Sequence, residues 1–439
     1  MKDTPINSSV VREKIENSGV PCIGQATIRE LVRLVNEIEK ATGEKFIRME
    51  MGVPGLVPSD IGTQAEIEAL RRGVAAKYPM IEGVADLKEE VSRFVRLFLN
   101  VEVTPQSCIS TVGAMQGACA AFLVSCRRDV NKDKTLFIDP GFPVQKQQHR
   151  VFGLKFETFD VYDFRGSKLR GKLEEICSKG NISTILYSNP NNPSWICFTE
   201  EELQIIAEIA NKNDIIVVED LAYFAMDFRK DLSKPGQPPY QPSVANYTEN
   251  YILLISSSKV FSYAGQRTGC MVISDVLYKR RFPDLKRFFV SDIFGYAMIY
   301  GALYSLSSGT SHSAQYALAA MLRAANDGEF NFVEHVKEYG ERAKIMKKMF
   351  TDNGFKIVYD KDIDRPIADG FYFTFSYPGF SGEELLEEML YYGVSSISLA
   401  ITGSTRLEGL RACVSQIRRD QMPVLEYRLC KFNEQHPVK

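Results

Sequence analysis

Between residues 107 and 275 the chain repeatedly sets a short, uninterrupted apolar run beside a segment of helical periodicity. SCISTV precedes GAMQGACAAFLVS, and TLFID, ISTILYS, IIVVED, YILLISS and CMVIS follow. Apolar runs of this length without polar alternation belong to strands buried on both faces. Separated by helices, they predict a mainly parallel sheet with helices on each side, an α/β fold. Between the third and fourth runs lies TEEELQIIAEIANKN, where Thr199 followed by Glu202 makes a capping box and Leu203, Ile206, Ala207 and Ala210 share a face.

The flanks differ. Residues 26–42, ATIRELVRLVNEIEKAT, predict an amphipathic helix ahead of the strand KFIRME, and charged helices in the C-terminal third surround GFYFTFSY and a last strand near LRACVS. These pieces predict a smaller α+β domain. A chain of 439 residues exceeds one simple core. The expected division is an N-terminal arm and helix (1–50) joining the small domain, a large domain (51–325) and the C-terminal small domain (326–439). KPGQPPYQPS, from Lys234 to Ser243, reads as a surface loop of the large domain.

Composition removes several classes. Hydrophobic content of 45% with 25% charged residues describes an ordered globular chain. Lys plus Arg number 53 against 55 Asp plus Glu, so no overall charge draws the chain to nucleic acid or an anionic membrane. A small molecule or a protein is the expected partner. Nine cysteines without a C-x-x-C pair and four histidines without H-E-x-x-H spacing predict reduced core thiols and no metal site. No window approaches the ~18 consecutive apolar residues of a membrane span, and the N-terminus lacks a signal peptide's apolar core. A cytoplasmic location is therefore expected.

Four segments put polar groups at predicted strand ends. Val112 to Gly117 forms a strand-to-helix turn of small residues, which suits a phosphate at a helix N-terminus and equally suits close helix-sheet packing. SNPNNPSW, Ser188 to Trp195, taken alone is a turn whose Asn side chains bond their own backbone. Asp220, in Glu219-Asp220-Leu221-Ala222-Tyr223, is either a cap or the partner of a cationic ligand group. The fourth, SSSKVFSYAGQRTG (Ser256 to Gly269), follows a buried strand with three serines, Lys259 and Arg267. Serine hydroxyls and a guanidinium bind phosphate, and a lysine beside another cation is a usable amine nucleophile. A surface lysine is the plain alternative; phosphate and amine chemistry together suggest a phosphorylated aldehyde.

In order, GAMQG, DPGFPV (Asp139 to Val144), NPNNPSW, DLAY, SSSKVFSYAGQRTG and GLRACVS resemble the class I/II aminotransferases of the fold-type I pyridoxal-phosphate enzymes, over about Ile28 to Ser415. The resemblance implies a seven-stranded sheet in the large domain and pyridoxal 5′-phosphate as cofactor. It implies that Lys259 tethers the cofactor and moves the substrate's Cα proton, that Asp220 pairs with the pyridine nitrogen, and that Tyr223 and Asn192 bond the ring's 3′-oxygen. Phe142 matches the aromatic that stacks on the ring. Ser256, Ser258, Arg267 and the backbone of Gly113, Ala114 and Met115 match the phosphate cup; Ala114 and Met115 supply no hydroxyl, so that side relies on backbone N–H groups. Arg411 resembles the grip on the substrate α-carboxylate, and Gly52 lies where the family has a substrate-side loop. Tyr78, in KYPMIEG, matches a tyrosine reaching the other subunit's cofactor phosphate, which implies a homodimer.

The family's N-P-x-N-P-T-G is altered here, with Ser194 for threonine and Trp195 for glycine. The turn after Pro193 is accordingly expected to avoid a conformation that needs glycine. The implied reaction moves an α-amino group from an L-amino acid to a 2-oxo acid by a ping-pong cycle. C–S β-lysis or decarboxylation on the same fold is the nearest alternative, because the motifs define the cofactor site more than the bond broken. A non-catalytic cofactor-binding regulator would carry an added DNA-binding domain, for which the stretch ahead of Met49 is too short and not basic. A distal substrate carboxylate would call for a second cation such as Lys286, Arg287 or Arg406. The aromatic stretch Phe288 to Tyr304 suits either an apolar substrate or interface packing.

Overall fold

Seven strands build the main sheet of the computed structural model, which describes residues 4–438: β1 (Cys108–Thr111), β2 (Lys134–Asp139), β3 (Lys155–Asp160), β4 (Ile182–Ser188), β5 (Ile216–Leu221), β6 (Tyr251–Ser256) and β7 (Gly269–Ile273). Their order is β1-β7-β6-β5-β4-β2-β3. β7 runs antiparallel to β1 and β6, and the other pairs are parallel. Every residue of β4, β5, β6 and β7 is buried, as strands covered by helices on both faces require. Six of the seven strands are the apolar runs of the sequence. The seventh, β3, carries Lys155 and Glu157 and sits at the sheet edge with half-solvated faces, so it shows no apolar run.

Helix α1 (Gly113–Ser125) starts directly after β1 and lies close on the sheet, where a Cβ on Gly117 would stand 2.9 Å from a Leu254 methyl. Helix α2 (Pro143–Phe152) follows β2, and α3 (Glu200–Lys212) carries the capping box read from Thr199 and Glu202. Phe122, Phe137, Leu186, Val218, Ile252 and Leu254 belong to one buried cluster between these layers. Fully burying each such side chain contributes about 1.5–3 kcal/mol. The nine cysteines are all free, and seven of them are buried.

The chain divides into two units. One holds Leu56–Asn191 and Cys197–Val336, with the seven-stranded sheet. The other holds the chain through Gly55, Asn192–Ile196 and the chain from Lys337. Within this second unit, helix Ile28–Thr42 buries Leu31, Leu34, Val35 and Ile38 along one face, and its own capping box joins Thr27 to Glu30. Strands Ile397–Ser398, Leu410–Cys413, Tyr372–Ser376 and Lys356–Ile357 form an antiparallel sheet in that order. Of KFIRME only Ile47–Arg48 is strand, paired in parallel with Val394–Ser395. Among the described residues no helix is long and apolar enough to cross a membrane.

Candidate active site

Six strands of the main sheet run the same way, so their C-terminal residues come to one edge. Register sets Ser188 beside Asp220 and Gly269 beside both Ser256 and Thr111. In open α/β sheets this is the edge that presents ligand-binding groups.

Asp220 is the last residue but one of β5, with its carboxyl buried. Oδ1 accepts from the backbone N–H of Ala222 at 3.1 Å and Oδ2 from the side-chain amide of Gln145 at 2.9 Å. No helix starts after Asp220, so the bond to Ala222 closes a turn rather than capping a helix, and no cation pairs with the group among the described residues. Desolvation dominates, and the carboxyl is pushed up to about 6. Gln145 stands one turn into α2, three residues past Phe142, which caps that helix. Its approach to Asp220 has no motif, and the only sequence signal is a polar residue on the buried side of a helix that starts at the ligand edge. Tyr223 follows on the turn after β5 and is buried.

The loop after β6 is pinned at several points. Ser257 Oγ donates to the carbonyl of Thr268 at 2.6 Å, Tyr263 N–H donates to the carbonyl of Ser257 at 3.1 Å, and Tyr263 Oη donates to Glu66 at 2.6 Å. Lys259 is thus carried on a fixed loop, half-buried. Of the three serines, the middle one is structural. Ser256 Oγ accepts from the N–H of Ser258 at 3.1 Å.

A cup forms where α1 meets this loop. Gly113 has φ +66°, and a Cβ there would lie 2.5 Å from Nη2 of Arg267. A Cβ on Gly269 would lie 2.8 Å from the carbonyl of Ile255 and 3.3 Å from the nitrogen of Ala114. Glycine at both positions lets the start of α1, the end of β6 and the Arg267 guanidinium draw together. Helix N–H groups at Gly113, Ala114 and Met115 and one guanidinium are the kinds of donor that suit an anion. Tyr78, by contrast, is 95% exposed.

In the second unit Arg411 lies on the central strand Leu410–Cys413, paired with Thr374, which puts Tyr372 diagonally across on the same face. Its guanidinium carbon stands 4.5 Å from the centroid of the Tyr372 ring. Nη2 donates to the carbonyl of Glu50 at 2.6 Å and Nη1 to Oδ1 of Asn192 at 3.3 Å, while Nε is buried without a hydrogen-bond partner. The side chain is 1% exposed. A buried guanidinium that donates to two neutral oxygens has its charge uncompensated there, which suits an anion. Gly52 meets the same ring: a Cβ there would stand 2.0 Å from Oη of Tyr372.

The family described as "Aminotransferase class I and II" matches residues 47–422. The chain belongs to the class I and II aminotransferases. It is 24% identical over 345 residues to a probable aspartate aminotransferase of Methanocaldococcus jannaschii, covering 72% of this chain and 85% of that one. It is 25% identical to an aspartate aminotransferase of Pyrococcus horikoshii, covering 84% of each. An alanine aminotransferase structure from Pyrococcus furiosus superposes with a TM-score of 0.74 at 20% identity, over 93% of this chain and 97% of that one. The protein is an aminotransferase enzyme, and its main sheet is that of its fold neighbours.

This aminotransferase departs from expectation in the NPNNPSW turn. Asn189 accepts from the N–H of Phe198 at 3.2 Å, and Asn191 donates to the carbonyl of Pro140 at 2.9 Å, so these amides also bind backbone outside their own turn. Ser194 keeps a hydroxyl that accepts from Ile196 N–H at 3.3 Å. Trp195 overturns the expected avoidance of a glycine conformation: it has φ +64° and is fully buried. Such a backbone costs a bulky residue roughly 1–2 kcal/mol, which burial of an indole offsets. Lys286 pairs with Asp292, Arg287 lies over Phe288 and Arg406 over Tyr359. Among the described residues no group of three His, Cys, Asp or Glu side chains could hold a metal ion.

Proposed function

We propose that this aminotransferase uses pyridoxal 5′-phosphate and transfers the α-amino group of an L-amino acid to a 2-oxo acid in a ping-pong cycle. The carrying observation is Asp220, a carboxyl buried at the ligand edge of the sheet with only the neutral Ala222 N–H and Gln145 amide donating to it, where burial raises it to about 6. A pyridinium N–H is the cation such a group fits, and the cup at Gly113 and Arg267 fits a phosphate. Bound there, the cofactor supplies a ring that accepts the electron pair left at Cα.

The chain's own groups do the rest. Asp220 would keep a proton on the ring nitrogen. Lys259 would hold the cofactor, and its Nζ, as the base, would take the substrate's Cα proton and return it on the other side of the new C–N bond. Tyr223 and Asn192 would supply hydrogen bonds to the cofactor's 3′-oxygen, and Phe142 an aromatic face for its ring. Ser256, Ser258, Arg267 and the N–H groups of Gly113, Ala114 and Met115 hold the phosphate. Arg411 grips the α-carboxylate in a paired geometry that lysine cannot reproduce, with Gly52 on the substrate side.

A homodimer completes this reading. Tyr78 is 95% exposed and Met80, two residues on, 62%, so this segment offers apolar side chains that a second copy could cover. Tyr78 then reaches the partner's phosphate.

The test is a single turnover. Protein loaded with pyridoxal phosphate and given one amino acid, without an oxo acid, is expected to release one equivalent of the matching 2-oxo acid per site and no ammonia or carbon dioxide. Release of ammonia or carbon dioxide instead would make it a lyase or decarboxylase. Lys259→Ala is expected to lower the rate by at least about 10³-fold.

A further inference from the structure

Three features converge on Trp195. Its backbone keeps φ +64°, a conformation glycine holds without strain, so the indole is retained against a local preference. The indole occupies space that only a bare backbone leaves open, since a Cβ on Gly370 would lie 1.9 Å from its Cε2. Its far side meets Tyr372 edge-on, with ring centroids 6.1 Å apart and planes at 68°. Tyr372 in turn carries the Arg411 guanidinium 4.5 Å from its centroid.

We propose that Trp195 is a positioning residue for substrate carboxylate binding: it braces the Tyr372 ring on which the Arg411 guanidinium lies. The proposal rests on the reading of Arg411 as the carboxylate grip. A guanidinium ends a flexible stem, and its plane must be fixed to meet a carboxylate with two parallel hydrogen bonds. Arg411 has two anchors, Glu50 carbonyl at 2.6 Å and Asn192 Oδ1 at 3.3 Å, and the second is long. The ring face supplies the remaining restraint. Tyr372 is itself confined by Gly52 at its hydroxyl, where a Cβ would stand 2.0 Å away, and by the indole at its edge. Phe371 also meets the ring edge-on, with centroids 5.1 Å apart, but it cannot replace the indole edge; removing the indole lets the ring tilt, and the guanidinium loses its plane.

Because the α-carboxylate is common to donor and acceptor, the effect falls equally on both substrates. Trp195→Gly suits the local backbone and removes only the side chain. Its KM values for amino acid and for oxo acid are each expected to rise about tenfold, with kcat and cofactor affinity within about twofold. Trp195→Phe, which keeps an aromatic edge, restores most of the difference. If Trp195→Gly does not fold, Tyr372→Leu reads the same restraint and is expected to raise both KM values alike. Arg411→Lys separates the two levels of the argument. Unchanged KM values in Arg411→Lys would remove the carboxylate grip itself. Raised KM values there, with Trp195→Gly or Tyr372→Leu losing thermal stability alone, would overturn the bracing role. A rise for one substrate only would also overturn it.

Discussion

Gln145 reaches from the first turn of α2 to Asp220 at the end of β5, its amide donating to Oδ2 across 2.9 Å. Both this donor and the Ala222 N–H are neutral, so they offset only part of the desolvation that raises the carboxyl from 3.8 to about 6. A raised carboxyl favours the folded state while protonated, and that contribution disappears as pH rises through the folded value. Its size is on the order of 3 kcal/mol. Cofactor-free protein is therefore expected to lose urea resistance between about pH 4 and 6, and Asp220→Asn to lose less. Loading pyridoxal phosphate should remove the same loss by supplying a cation. Identical pH profiles for wild type and Asp220→Asn would refute this account.

Gly113 combines φ +66° with a guanidinium nitrogen 2.5 Å from where a Cβ would stand. Gly113→Ala must displace Arg267 and strain the start of α1. Equilibrium dialysis is expected to show pyridoxal phosphate binding weakened about 10- to 100-fold, with far-ultraviolet circular dichroism unchanged. Unaltered affinity would mean that the cup does not hold the phosphate.

Glu219, beside Asp220 on the opposite face of β5, has a structural task. Oε2 accepts from Ser243 Oγ at 2.5 Å and from Val244 N–H at 3.2 Å, tying down the end of the proline-rich loop. Burial pushes its carboxyl up to about 7 from 4.5. The sign is the same as for Asp220, with stability present while protonated and lost as pH rises through about 7. Glu219→Gln is expected to flatten unfolding free energy between about pH 5 and 8 without altering kcat. A wild-type slope retained in the variant would count against it.

Tyr78 and Lys259 should complement each other across subunits. Homodimers of Tyr78→Ala and of Lys259→Ala are each expected to be impaired, the second far more deeply. Mixed dimers carry one site with both lesions and one with neither, so coexpression should recover activity above either parent. Additive or absent recovery would argue that each site uses its own Tyr78.

Much of the main sheet was legible because buried strands must be apolar on both faces, which leaves uninterrupted runs such as ISTILYS and YILLIS. The capping box at Thr199 and Glu202 was legible because both partners lie within one helical turn. The edge strand Lys155–Asp160 was not, since a strand at the rim needs no continuous apolar run. Trp195 shows a different limit. A preference against φ > 0 in a bulky residue is real, but it is a local energy of about 1–2 kcal/mol that packing can exceed.

By itself the sequence determined six of the seven main-sheet strands, the absence of a disulfide or metal pattern, and the motif set that marks the aminotransferase family. Those are local or serial properties, written in neighbouring residues. Tertiary structure alone decided that Gln145 would be Asp220's neutral partner, that Arg267 would fill the space Gly113 leaves open, and that Arg411 would rest on Tyr372 beside Trp195. Each joins residues far apart in the chain, and their closeness follows from sheet register and helix approach, which no residue's own propensity encodes.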